Sequence, residues 1–321
     1  MGQGGPSRAG VVRSIDAVLG SRLLAGSFRA LTGGRLRILG YHGVSDRVRF
    51  ESQMLHILDH YEPVGAESVS AAMKGGAVRD RSAWVTFDDA DPSVVENALP
   101  VLKRLGIPAT MFVCPGVVGT DIPYWWQIVE EYESSREVEL IGATPREGWL
   151  AFLKRAEDSN RREVVDAMSE SLTLARGSSP TRRQITVGEL EEFAAHGTLG
   201  NHTWDHPCLD TCSAEEQTNQ IVAAHEWLRS TFEPRHLLFA YPNGNHAGTS
   251  EHVLRDLGYD LAIVFDHRLG RRDQNPLRLS RIRTSDTAAP GRYAALVSGV
   301  HPAAHRVRSH LPSAFAPGHG M

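Results

Sequence analysis

The stretch AWVTFDDADPSVVENALPVLKRLGIPATMFVC, residues 83–114, carries a strand, a helix and a second strand in immediate succession. Ala83 to Phe87 is apolar, aromatic and β-branched, as a strand buried on both faces requires. From Pro92 to Leu105 apolar residues recur at helical spacing, with Pro92 in the first turn and Gly106 just past the end. Ala109 to Cys114 is again a buried strand. Two strands joined by a helix in so short a span must run parallel.

The alternation continues on both sides. Arg37–Tyr41 (RILGY) reads as a strand, followed by a helix over Phe50–Tyr61. Downstream, a helix over Thr186–His196 opens with a capping box formed by Thr186 and Glu189. A strand at Thr198–Asn201, a helix over Ser213–Thr231 capped by Ser213, and a strand at His236–Tyr241 follow. A helix near Thr249–Leu257 and strands at Leu261–Phe265 and Leu277–Arg283 complete the series. Such a series predicts a distorted (β/α) barrel of six to seven parallel strands rather than two open sheets. Asp121–Arg183 breaks the rhythm: it starts with Pro123-Tyr124-Trp125-Trp126, then runs charged and helical to a Gly-Ser-Ser-Pro loop at 177–180. The expected organisation is an amphipathic segment over 1–34, a barrel over 35–300 with a helical insertion at about 121–183, and a disordered tail over 301–321.

Among the 321 residues, 34 Lys+Arg stand against 38 Asp+Glu, a formal charge of −4 that lacks the basic footprint of a nucleic-acid binder. Cys114, Cys208 and Cys212 make an odd count, so no disulfide framework follows and a reducing compartment is expected. The apolar region Val11–Leu31 is interrupted by Arg13, Asp16, Arg22 and Arg29, which is too broken for a secretory core. An amphipathic helix packed on the domain is the reading there, with peripheral membrane contact through residues 11–31 as the alternative. The expected location is therefore cytoplasmic, with membrane association where that contact forms.

In a parallel barrel, chemistry sits at the C-terminal ends of the strands. Those ends carry Tyr41-His42, Asp88-Asp89, Asn201-His202 with His206 four residues on, and Tyr241-Pro242. Carboxylates and imidazoles together are the ligand set of a zinc-type site. Chance alone supplies His-x-x-x-His pairs in a chain with 15 histidines, and three occur. His56/His60 shares a helix face and reads as a solvated or core-edge pair, and His301/His305 lies in the tail. Only His202/His206 directly follows a strand. The adjacent carboxylates of Asp88 and Asp89 repel each other unless a cation lies beside them. In a continuing strand they would point to opposite faces, so the strand must end there for both to reach one site. Asp89 or Asp91 as a helix cap before Pro92 is the competing reading. Cys208 and Cys212 leave a structural zinc site with His202 and His206 open, though it gives Asp88 and Asp89 no purpose. Gly33-Gly34 and Gly75-Gly76 do not have phosphate-binding spacing and read as turns.

TFDD at 86–89, HTWDHP at 202–207 and FAYPNG at 239–244, in this order, resemble the polysaccharide deacetylase family, the NodB-homology carbohydrate esterases. The likeness spans about Leu36 to Arg283. ILGYH at 38–42 further resembles the branch that includes poly-N-acetylglucosamine deacetylases. The resemblance implies one divalent metal held by Asp89, His202 and His206, with Zn2+ expected and Co2+, Ni2+ or Mn2+ as alternatives. It implies Asp88 as general base, the backbone N–H of Tyr241 as oxyanion donor, and His42 as the acid that other members place on a late Leu-x-His. Tyr241 and Pro242 would contact substrate, and Trp125 and Trp126 would stack on a sugar or form a lid contact. Two departures stand out: Ala90 follows the aspartates where Gly is usual, and Phe239-Ala240 lacks the Arg that steers the base. Arg281 is assigned that steering role instead. The implied activity is metal-dependent N-deacetylation of N-acetylated sugars in an oligosaccharide, polysaccharide or lipid-linked glycan. Two alternatives remain: the same machinery on a non-sugar amide, and a non-catalytic glycan-binding relative.

Overall fold

The chain alternates between strand and helix from its first described residues. α1 (Arg22–Leu31) leads into β1 (Arg37–Tyr41), α2 (Arg47–His60), the two-residue β2 (Glu62–Pro63), α3 (Ala66–Met73) and β3 (Ser82–Phe87). A π-helical turn (Val94–Ala98), α4 (Leu99–Leu105) and β4 (Ala109–Val113) follow. Next come three helices, α5 (Trp125–Ser134), α6 (Trp149–Leu153) and α7 (Asp158–Arg176). Then α8 (Val187–Ala194), β5 (Thr198–Asn201), α9 (Ala214–Phe232), β6 (Leu238–Ala240), α10 (Gly248–Asp256), β7 (Leu261–Phe265), β8 (Leu279–Arg283) and α11 (Pro290–Ser298) complete the order. This computed structural model describes residues 22–76, 80–135, 144–271 and 273–300. The expected tail at 301–321 and residues 1–21 of the amphipathic segment expected over 1–34 lie outside the described residues.

β1 pairs in parallel with both β3 and β8, and β3 to β8 pair in sequence, so seven parallel strands close into a barrel. β2 lies outside the ring, against β3. Side chains alternate with period two, as a pleated strand dictates. Ile38, Trp84, Phe112, Leu238, Ala240, Leu261, Ile263 and Leu279 form one buried cluster inside. Leu39, Tyr41, Val85, Phe87, Met111, Val113 and Ile282 face the helices. Strands covered on both faces explain the near-continuous apolar runs.

The helix expected over Pro92–Leu105 is not regular. Pro100 has no N–H to give and its ring crowds the preceding turn. The chain widens there, with the Leu99 N–H reaching back to the Val94 carbonyl, and regular α-helix begins only at Leu99. α1 packs against α11, Ala25 on α1 is buried, and the Thr32 hydroxyl donates to the Ser298 carbonyl. The helices between β4 and β5 build a cluster of their own from Val129, Tyr132, Trp149, Leu153, Val165, Met168 and Leu172.

Candidate active site

Asp88 and Asp89 reach one site because β3 stops at Phe87. The Asp88 N–H still donates to the Tyr41 carbonyl, and Asp89 then turns into the left-handed region at φ 63°. Ala90 follows at φ 51°, a conformation that Gly adopts freely and that costs an L-residue roughly 1–2 kcal/mol. Asp91 rather than Asp89 makes the local cap, accepting from the Ser93 N–H at 2.9 Å. Tyr124 secures the turn from above by donating its hydroxyl to the Asp89 carbonyl at 2.8 Å.

His202 follows β5 directly, and its Nδ1 lies 2.7 Å from the Ala240 carbonyl. A carbonyl can only accept, so Nδ1 carries the proton and Nε2 is free to bind a ligand, the usual support of a metal-binding imidazole. His206 is in the left-handed region at φ 65°, and the Trp125 indole N–H donates to its carbonyl at 3.1 Å. Asp89 Oδ1 stands 3.4 Å from Nε2 of both His202 and His206. That buried oxygen has no hydrogen-bond partner. Ligand atoms around a tetrahedral ion with ~2.1 Å bonds stand about 3.4 Å apart, so the three residues fit a metal ion. Among the described residues they are the one such cluster, and neither Cys208 nor Cys212 belongs to it. Cys208 instead accepts from the Asn243 amide, which removes the alternative four-residue zinc site.

Arg281 lies on the inner face of β8 and grips both oxygens of Asp88 at 2.6 Å, with the pair fully buried. Its guanidinium lies 3.6 Å from the centre of the Phe265 ring. Burial by itself would raise Asp88, but Arg281 outweighs it and holds the carboxyl below the usual carboxylate range. Burial works the same way on Asp89, where His206, His202 and His42 prevail and lower it. At His206 burial wins and takes the imidazole down to about 3, leaving it neutral as a ligand must be. At His202 burial is overcome by Asp88 and Asp89, and the pKa rises. His42 stacks on Phe265 with its Nε2 3.9 Å from Asp89 Oδ2, and burial lowers its pKa against the pull of the two aspartates.

These groups open onto a cavity of about 370 Å3, lined by His42, Asp88, Asp89, His202, His206 and Trp126 among others. A larger hollow of about 750 Å3 between α2 and α11 has a single imidazole, His56, and no carboxylate. Three expected substrate contacts are not part of the cavity wall. Tyr241 continues the outward register of Phe239, so its ring is buried among helices and its hydroxyl donates to the Leu277 carbonyl. Its backbone N–H donates to the Ile263 carbonyl at 3.1 Å, so that donor is taken up by the sheet rather than directed at an oxyanion. Pro242 is buried in the turn after β6, and that loop presents Asn243 and Asn245 to the cavity. Trp125 is turned toward Arg161 and buttresses the His206 loop from behind. Trp126 alone of the pair faces the cavity, stacked on Tyr124 and edge-on to His206. Sequence reasoning missed the Ala240 carbonyl and Phe265. The inward alternation of β7 was the signal for Phe265, whereas no side-chain pattern marks the Ala240 carbonyl.

Fold and site together define a parallel barrel with a candidate metal-ligand set at its mouth. The chain belongs to the polysaccharide deacetylase family, whose family model matches residues 75–262. YxkH of Bacillus subtilis (strain 168) is 19% identical over 276 residues, covering 83% of this chain and 77% of that protein. A poly-beta-1,6-N-acetyl-D-glucosamine N-deacetylase of Staphylococcus aureus (strain MSSA476) is 48% identical over 48 residues, a match to 15% of this chain and 17% of that enzyme. Among solved structures, IcaB from Ammonifex degensii has a TM-score of 0.57 at 18% identity, covering 83% of this chain and 98% of that one. The Streptococcus pyogenes deacetylase PplD in complex with acetate has a TM-score of 0.56 at 18% identity, covering 80% and 96%. At that identity the likeness is one of fold.

Proposed function

We propose that this protein removes acetyl from the acetamide of N-acetylated sugars in a glycan or glycan precursor, with one divalent ion held by Asp89, His202 and His206. The observation that carries the reading is the buried Asp89 oxygen equidistant from two imidazoles, with a second, Arg-held carboxylate in the same cavity. Bound there, a zinc-type ion supplies polarisation of the acetamide carbonyl and a lowered pKa for water. Asp88 accepts the proton of the attacking water. Its low pKa keeps it ionised at neutral pH, and the two-point grip of Arg281 fixes its orientation. His42, across the cavity, delivers a proton to the leaving amine. Trp126 offers an aromatic face to a sugar ring. Placement in the cytoplasm, with contact to a membrane surface through residues 11–31, belongs to the same proposal. Recovery of the native protein exclusively in soluble fractions would remove the membrane part.

The decisive experiment measures acetate release from N-acetylglucosamine oligomers together with the metal content of the protein. Asp88→Asn is expected to retain the ion and lose turnover by about 10²–10⁴-fold, the usual worth of a positioned proton acceptor. Wild-type turnover in that variant would show that another group is the base.

A further inference from the structure

The cavity contains more positive charge than the proposed reaction uses. Lys154, at the C-terminal end of α6, and Arg283, the last residue of β8, line it from two separate parts of the fold. Among the described residues neither side chain is ion-paired. Burial, followed by the nearby Arg283, pulls the Lys154 amine below its usual pKa, so the two cations are close enough to oppose one another. The carboxylates facing the same space are Asp88, Asp89 and Glu130. Asp88 is matched on both oxygens by Arg281, and Asp89 stands among the imidazoles. That leaves Glu130, exposed like Arg283, against Arg283 and the half-buried Lys154. Two like charges converging on one cleft are unfavourable unless an anion comes between them. A neutral acetamido sugar offers no such charge.

We infer that the substrate carries an anionic group, phosphate or carboxylate, on or beside the acetylated sugar, and that Lys154 and Arg283 receive it. This rests on the deacetylase reading above and narrows its substrate class. Lys and Arg together suit such a group, because Arg meets a planar or tetrahedral anion with two donors while Lys acts as a point charge.

The test compares kcat/KM for acetate release from three matched probes: a neutral N-acetylglucosamine trimer, and the same trimer bearing a terminal phosphate or a terminal carboxylate. At low salt one charged trimer is expected to be preferred roughly tenfold or more, the worth of one charge-assisted contact. Which of the two is preferred identifies the anion. Added NaCl should erode that preference, a readout needing no variant. Lys154→Glu and Arg283→Glu should each lower the charged-over-neutral ratio through KM, and Lys154→Arg should preserve it. Equal kcat/KM for all three probes, or a ratio insensitive to Lys154→Glu, overturns the inference while leaving the deacetylase reading in place. Absence of acetate from every probe with metal bound takes both down together.

Discussion

At the scale of single residues, the Arg281–Asp88 pair sets the terms of the site. Both partners are buried, and taking away one side of a buried pair strands the other charge, at a cost of ~3–5 kcal/mol. Arg281→Ala should therefore lower the melting temperature, read by thermal denaturation. It should also change the pH profile. Burial raises Asp88 and Arg281 is the largest influence opposing it, so loss of the guanidinium lifts the Asp88 pKa. The acidic limb of kcat/KM then moves to higher pH, because Asp88, the proposed base, stays protonated further up the scale. An unshifted limb in a folded variant would detach Arg281 from the base. The same pair couples stability to pH in wild type. The depressed Asp88 pKa contributes stability above the usual carboxylate range, and this is lost as pH falls through the folded value.

At the scale of elements, register decides what the cavity contains. Leu279 faces inward on β8 and Arg281, two residues on, shares that face, while Phe265 takes the inner face at the end of β7. Gly40, on the neighbouring β1, leaves the room both need. A Cβ there would stand 2.5 Å from the Phe265 ring and 3.0 Å from Arg281 Cδ. Gly40→Ala should cost about 1–3 kcal/mol of stability as an overpacked site. It should also lower kcat more than it raises KM, since the displaced ring lies against both Arg281 and His42. Wild-type kcat in this variant would mean that Phe265 moves independently of the base. The helix after β3 shows the limit of periodicity. Its apolar spacing is helical throughout, yet Pro100 forces a wider turn, a backbone effect that side-chain patterning does not record.

At the scale of the molecule, the three proposed ligands come from two strand ends, with Asp89 after β3 and His202 and His206 after β5. An ion bound only by the folded arrangement stabilises the whole barrel by linkage, about 2.7 kcal/mol at a hundredfold excess over Kd. Chelation should lower the melting temperature and abolish acetate release, and added Zn2+ should restore both. Asp89→Ala should remove most of the difference between chelated and zinc-loaded protein. Chelated protein that keeps its full melting temperature and activity would sink the metal site.

Local patterns in the chain were enough to determine the barrel, its parallel strands, and the strand-end carboxylates and imidazoles. Those features follow from period-two burial and from the repulsion between Asp88 and Asp89, both of which are written in neighbouring residues. Arg281 as partner of Asp88 came from the family resemblance, and the fold brought the two together across 193 residues of chain. What only the tertiary structure decided is the identity of the cavity wall. Tyr241 and Pro242 sit at a strand end by sequence but are not part of the cavity wall: the outward register and the sheet hydrogen bond to Ile263 take Tyr241, and Pro242 is buried in the turn that follows. Lys154 enters from a helix far along the chain, and nothing near it in sequence fixes how that helix docks. Contacts between distant segments depend on packing across the whole fold, and no local spacing encodes them.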